Sequence, residues 1–191
     1  MSYPEYVKVN NELYKIDTDF KVALECDKIY RSGVREEEKV LAIIYLLFGD
    51  KGLEDSNNYE GLIEKALKYL LCCKEPNEDN TEPDMDFEQD KSFIKASFYT
   101  DYGIADIYNT NMHWWEFCDL MNGLKEDCVL NRIRYIRRYD ISDINDKKIL
   151  KEWEKQKQSV ALKKKEPKMT KEQEESMENF LRQINYKGKG G

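Results

Sequence analysis

The chain has 191 residues, enough to bury a sizeable core without disulfides or metal. Charged residues make up 36% and the net charge is -7, so the chain as a whole is repelled by nucleic acid and by anionic membrane surfaces. Only 9 Gly and 4 Pro argue against an all-β protein, which would need many tight turns. In chain order, residues 6 to 9 and 12 to 16 read as a small hairpin around Asn10-Asn11, since Asn tolerates the left-handed turn conformation. A helix follows from an Asp17-Thr18-Asp19 cap to about Arg31, with Phe20, Ala23, Leu24 and Asp27 along one side and Ser32-Gly33 as its stop. A second helix, about Arg35 to Phe48, opens on Glu36, Glu37 and Glu38. It turns apolar nearly all round, as a central helix does, and Gly49-Asp50-Lys51-Gly52 ends it. A third, about Asn58 to Cys73, sets Leu62, Ile63, Ala66, Leu67, Leu70 and Leu71 at helical spacing.

Residues 75 to 83 hold two prolines and many acids and read as an exposed loop. A fourth helix is expected from about Met85 to Tyr102, capped by Asp84 and ended by Gly103. A fifth, about Met112 to Asn122, has Trp114, Phe117, Cys118 and Met121 on one face. A sixth, about Glu126 to Arg138, aligns Val129, Ile133 and Ile136. After Asp140 the character changes: residues 147 to 168 carry nine Lys against three Glu. Pro167 breaks this stretch, and Thr170-Lys171-Glu172-Gln173 reads as a capping box before a short helix with Met177, Phe180, Leu181 and Ile184. The pattern predicts a mostly α fold. Residues 1–140 would form a compact multi-helix bundle with an N-terminal β-hairpin, and 141–191 a Lys-rich arm, partly helical and partly flexible.

Chemistry is sparse in this pattern. The five cysteines fit no disulfide framework or zinc signature and read as reduced, mostly buried thiols. Met1-Ser2-Tyr3-Pro4 lacks a basic segment followed by an apolar run, so no signal peptide is expected. The longest apolar run, Val40 to Phe48, is about half of a membrane span. His113 is the sole histidine and no nucleophile setting accompanies it, so a helix-start or interface role is expected rather than general base catalysis. Asp86 and Asp90, four apart, read as the acidic first turn of a helix rather than as a hydrolytic pair. The cluster Arg132, Arg134, Arg137 and Arg138, with Tyr135 and Tyr139 interleaved, can track a nucleic-acid backbone or form a solvated, salt-bridged helix face. The acidic balance of the chain favours the second. Trp114 belongs to the core. Trp115 points about 100° away on an ideal helix and is the better interface anchor. The candidate interaction residues are therefore Met112, His113, Trp115, Arg134, Arg137 and Arg138. No catalytic residue, metal ligand or cofactor site is expected.

Several stretches carry a resemblance. Residues 82 to 90 (Glu82-Pro83-Asp84-Met85-Asp86-Phe87-Glu88-Gln89-Asp90), Phe98-Tyr99-Thr100-Asp101-Tyr102-Gly103-Ile104, Met112-His113-Trp114-Trp115-Glu116-Phe117 and Gly123-Leu124-Lys125-Glu126-Asp127-Cys128 closely resemble the bacteriophage gp fifteen family of long-tailed phages and prophages of Gram-positive bacteria. Thr18-Asp19-Phe20-Lys21-Val22-Ala23-Leu24 and Ile44-Tyr45-Leu46-Leu47-Phe48-Gly49-Asp50 are similar to it too. The resemblance spans roughly residues 10 to 165. It implies a gene in the tail-morphogenesis region near the tape-measure gene, where similar proteins are tail assembly chaperones. What it implies is a non-enzymatic protein of the host bacterial cytoplasm that binds the tape-measure protein, other tail proteins and its own copies. The rival expectations are a structural tail or connector component and a nucleic-acid-binding regulator.

Overall fold

A computed structural model of the protein describes residues 3–72 and 83–163. The acidic loop proposed over most of 75–83, the break at Pro167 and the short C-terminal helix fall outside the described residues. Within them, two strands and seven α-helices occur: β1 (Tyr6–Val9), β2 (Glu12–Lys15), α1 (Phe20–Tyr30), α2 (Glu36–Glu54), α3 (Tyr59–Leu70), α4 (Lys91–Tyr102), α5 (Trp114–Asn122), α6 (Val129–Arg138) and α7 (Lys147–Val160). The fold is mostly helical, with one small N-terminal antiparallel sheet.

The described residues form two compact units. One holds 3–72 and 111–119; the other holds 83–110 and 120–163. The first carries a large apolar core. Tyr14, Ile16, Phe20, Ile43, Ile44, Leu47, Leu62 and Phe117 are almost wholly buried there. The hairpin turns on Asn10 (φ 46°) and Asn11 (φ 70°), as two successive asparagines allow at low cost. Asp19 caps α1 by accepting from the Lys21 amide at 2.9 Å. Helix α1 turns Phe20, Ala23, Cys26 and Ile29 inward. Leu24 and Asp27, expected beside them, are half-exposed. Phe20 stacks on Phe117 with ring centroids 4.5 Å apart, so the start of α1 and the start of α5 share one aromatic contact.

Helix α2 runs past its expected end. Gly49 (φ 65°, ψ -158°) breaks it as the sequence suggests, but helix resumes to Glu54. Gly52 belongs to that second piece because the backbone comes close: a Cβ there would lie 2.7 Å from Phe48 Cβ.

The second unit has a smaller core of Ile94, Phe98, Ile107, Leu124, Cys128 and Leu130. Helix α4 begins at Lys91, about a turn and a half later than expected, and Asp84 does not cap it. Instead Asp86 accepts from the Glu88 and Gln89 amides at 3.0 and 2.9 Å, which makes a separate turn before the helix. Gly103 (φ 72°) ends α4 as a left-handed cap. Helix α6 starts at Val129 behind Cys128, and it buries Leu130, with Ile133 and Ile136 only half-buried. Helix α7 starts behind an Asp146 cap and buries no residue fully.

Candidate interaction surfaces

The sequence Asn111-Met112-His113-Trp114-Trp115 sits where three backbones of the first unit converge. The Met112 carbonyl accepts from the Phe20 amide at 3.0 Å, and the Trp114 amide donates to Thr18 O at 2.8 Å. These bonds make a one-pair bridge between Asp19 and His113. His113 then opens α5. Its Nδ1 accepts from the Trp115 amide at 3.0 Å, and its carbonyl accepts from the Phe117 amide at 2.9 Å. With Nδ1 as acceptor, the ring proton sits on Nε2 and is donated to Pro4 O at 3.0 Å. Both ring nitrogens are thus used inside the chain. Tyr3 stacks on the same ring at 4.9 Å and donates to Asp119 on α5 at 3.0 Å.

The two tryptophans share one task. A helix leaves its last carbonyls without partners. Trp114 Nε1 donates to Leu70 O at 3.0 Å, and Trp115 Nε1 donates to Tyr69 O at 2.9 Å, so adjacent indoles satisfy adjacent carbonyls at the end of α3. Trp114 is buried, as expected. Trp115 is half-buried and stacks on Tyr69 at 6.0 Å. Met112, His113 and Trp115 are therefore brought together, and each has a role inside the fold. The Tyr69 hydroxyl is buried with no hydrogen-bond partner among the described residues, and burial raises its pKa.

In the second unit the arginines meet the acids of residues 84–90. Arg137 grips Asp90 with Nη1 and Nη2, each 2.7 Å from one carboxylate oxygen. Its Nη1 also donates to Asp84 O at 2.8 Å, and its Nε to Val160 O at 2.6 Å. One guanidinium thus ties α6 to the turn before α4 and to the end of α7. The side chains of Arg137 and Asp90 are 10% and 1% exposed, which makes this a buried pair. Arg134 and Arg138 both reach Asp84 at 3.1 Å nearer the surface. Lys157 completes the arrangement: its Nζ donates to Arg137 O at 2.7 Å and to Tyr139 O at 2.6 Å, closing the C-terminus of α6. Trp153 of α7 stacks on Tyr139 at 4.2 Å. Local sequence could not reveal these partners. Asp90 and Arg137 are 47 positions apart.

A further surface lies on the outer face of the hairpin. The register pairs Tyr6 with Lys15 and Lys8 with Leu13, so these four side chains share one face of the hairpin. Tyr6 and Leu13 are exposed there at 53% and 60%, while Val9 and Tyr14 on the other face are buried. The period-two alternation through Tyr6-Val7-Lys8-Val9 was the available signal. Large apolar side chains between lysines suit contact with another protein surface.

Cys26 and Cys128 are buried free thiols, and burial pushes the Cys26 pKa up to about 12. Among the described residues, no group of three or more His, Cys, Asp or Glu is placed to hold a metal ion. No described helix is long and apolar enough to cross a membrane.

The family model described as Bacteriophage Gp15 protein matches residues 2–162. Comparison with curated proteins and with solved structures gives no match.

Proposed function

The chain belongs to the Bacteriophage Gp15 protein family and is a phage structural or morphogenesis protein; within that class, we propose that it is a tail assembly chaperone. On this reading it binds the long helical tape-measure protein, and its own copies, in the host bacterial cytoplasm until tail subunits polymerise. It works by surface contact, without a reaction centre. The observation that carries the reading is the family match, because it covers nearly all of the described chain.

Physical chemistry supports it. A client helix offers an apolar stripe, and the outer hairpin face offers Tyr6 and Leu13 in return. Lys8 and Lys15 beside them favour a client with acids flanking its stripe. A charged fraction of 36% keeps a protein dispersed while it holds apolar surface. Weak contacts repeated along a long client add up through avidity. The nucleic-acid reading gains less support, since Arg134, Arg137 and Arg138 all have carboxylate partners within the chain.

Mass spectrometry of purified particles tests the proposal. A chaperone is absent or scarce where the tape-measure protein is present at full copy number. Retention in stoichiometric amount would instead make this chain a structural tail or connector component.

A further inference from the structure

Helix α3 has two apolar faces, and among the described residues only one is buried in the core. Leu62, Ala66 and Tyr69 point into the core. Ile63, Leu67 and Leu71 follow at successive intervals of four, so they form a second stripe. Ile63 is half-buried, and Leu67 and Leu71 are 39% and 42% exposed. The stripe runs about 12 Å along the helix. Polar residues at its ends have opposite signs: Glu60 and Glu64 come first, Lys65 and Lys68 later.

We infer that this stripe is the docking site of the chain's own segment 170–186. Two long stretches lie outside the described residues, and they differ in what they can cover. Residues 73–82, Cys73-Lys74-Glu75-Pro76-Asn77-Glu78-Asp79-Asn80-Thr81-Glu82, contain no large apolar side chain. Segment 170–186 contains Met177, Phe180, Leu181 and Ile184 at i, i+3, i+4 and i+7, which is one face of a helix. That face is about 10 Å long, which matches the stripe. The charges match as well when the two helices run antiparallel. Glu174 and Glu178 then lie toward Lys65 and Lys68, and Arg182 and Lys187 toward Glu60 and Glu64. The segment also begins beyond residue 162, where the family match stops. The cover is therefore additional to the matched region, whereas the stripe lies within it.

Hydrogen–deuterium exchange on the full chain tests this. Amides of residues 172–186 should exchange at least about tenfold more slowly than in a free peptide of the same sequence. Leu67→Glu combined with Leu71→Glu changes two side chains already partly in water. It should return those amides to the free-peptide rate while α1 and α2 keep their protection. Should that variant fail to fold, a photo-crosslinking p-benzoylphenylalanine at position 67 gives the second readout. It should capture residues 172–187, and it should cease to do so in Phe180→Asp with Leu181→Asp. Free-peptide exchange in the unaltered chain, protection indifferent to positions 67 and 71, or crosslinks mapping elsewhere would each overturn the inference.

Discussion

Arg137 and Asp90 form a two-pronged ion pair, with both nitrogen–oxygen distances 2.7 Å, at a place where the carboxylate has almost no contact with water. A buried charge without its partner is far more costly than the pair itself is beneficial. Arg137→Met should therefore lower the unfolding free energy by about 3–5 kcal/mol, read from urea titration. Adding Asp90→Leu to that variant should recover much of the loss, because it removes the stranded carboxylate. Arg138→Met, which loses only an exposed arm to Asp84, should cost less than about 1 kcal/mol. Equal losses for Arg137 and Arg138 would contradict this account of the second unit.

His113 acts on α5 as a side-chain cap. His113→Ala should cost about 0.5–2 kcal/mol. His113→Asn should cost less, since an amide oxygen can still accept from a nearby helix amide while the bond to Pro4 O is lost. Amide exchange at Trp115 and Glu116 reads the difference.

Tyr14 and Asp55 shape the pH dependence of the first unit. The Tyr14 hydroxyl donates to Asp55, and Asn58 Nδ2 donates to the same carboxylate at 2.7 Å. The Tyr14 hydrogen bond, then that of Asn58, lowers the Asp55 pKa from its ordinary 3.8. The folded state thus holds this proton less tightly than the unfolded state does. Its contribution is present above the ordinary value and is lost as pH falls below it. Tyr14 has the opposite sign. Burial, then the bond to Asp55, raises its pKa above 10.0, so its contribution is lost as pH climbs past that value. Tyr14→Phe should flatten the stability profile at both ends, measured as urea midpoints across the pH range.

Gly61 marks the contact of α3 with β1. A Cβ at this position would lie 2.5 Å from Val9 Cγ1. Gly61→Ala should destabilise by about 1–3 kcal/mol through overpacking. Combined with Val9→Ala, the loss should be smaller than the sum of the two single changes by at least about 0.5 kcal/mol. Strict additivity would mean that the hairpin does not press on α3.

The parts of the fold that depend on neighbours in sequence were legible. Asn10-Asn11, the Asp19 cap and the Gly103 stop each act within a few residues, and each is where the pattern puts it. The errors fall where a distant partner decides. Asp84, Met85 and Asp86 look like the first turn of α4, yet Arg137 holds Asp90 and Asp84 O from another helix, and α4 starts only after Asp90. In α6 the periodicity favoured Val129, Ile133 and Ile136, but the helix buries Leu130 and leans Arg137 against the acids, a face no apolar count would select. The helical spacing puts one indole in the core and turns the other toward the surface. Their shared role, sealing the end of α3, depends on carbonyls 44 and 46 positions earlier. The alternation marks the outer hairpin face only weakly, because exposed apolar residues on a short strand carry little signal alone.

The claim that this protein works by holding a tail client is tested most directly by co-expression with the tape-measure protein of the same phage. The unaltered chain should keep that protein in the soluble fraction and purify with it in many copies per client. Tyr6→Ser with Leu13→Asp, which alters only exposed hairpin positions, should weaken both effects without unfolding the chain. A tape-measure protein that stays insoluble beside abundant, folded chain, with no complex recovered, would contradict the account.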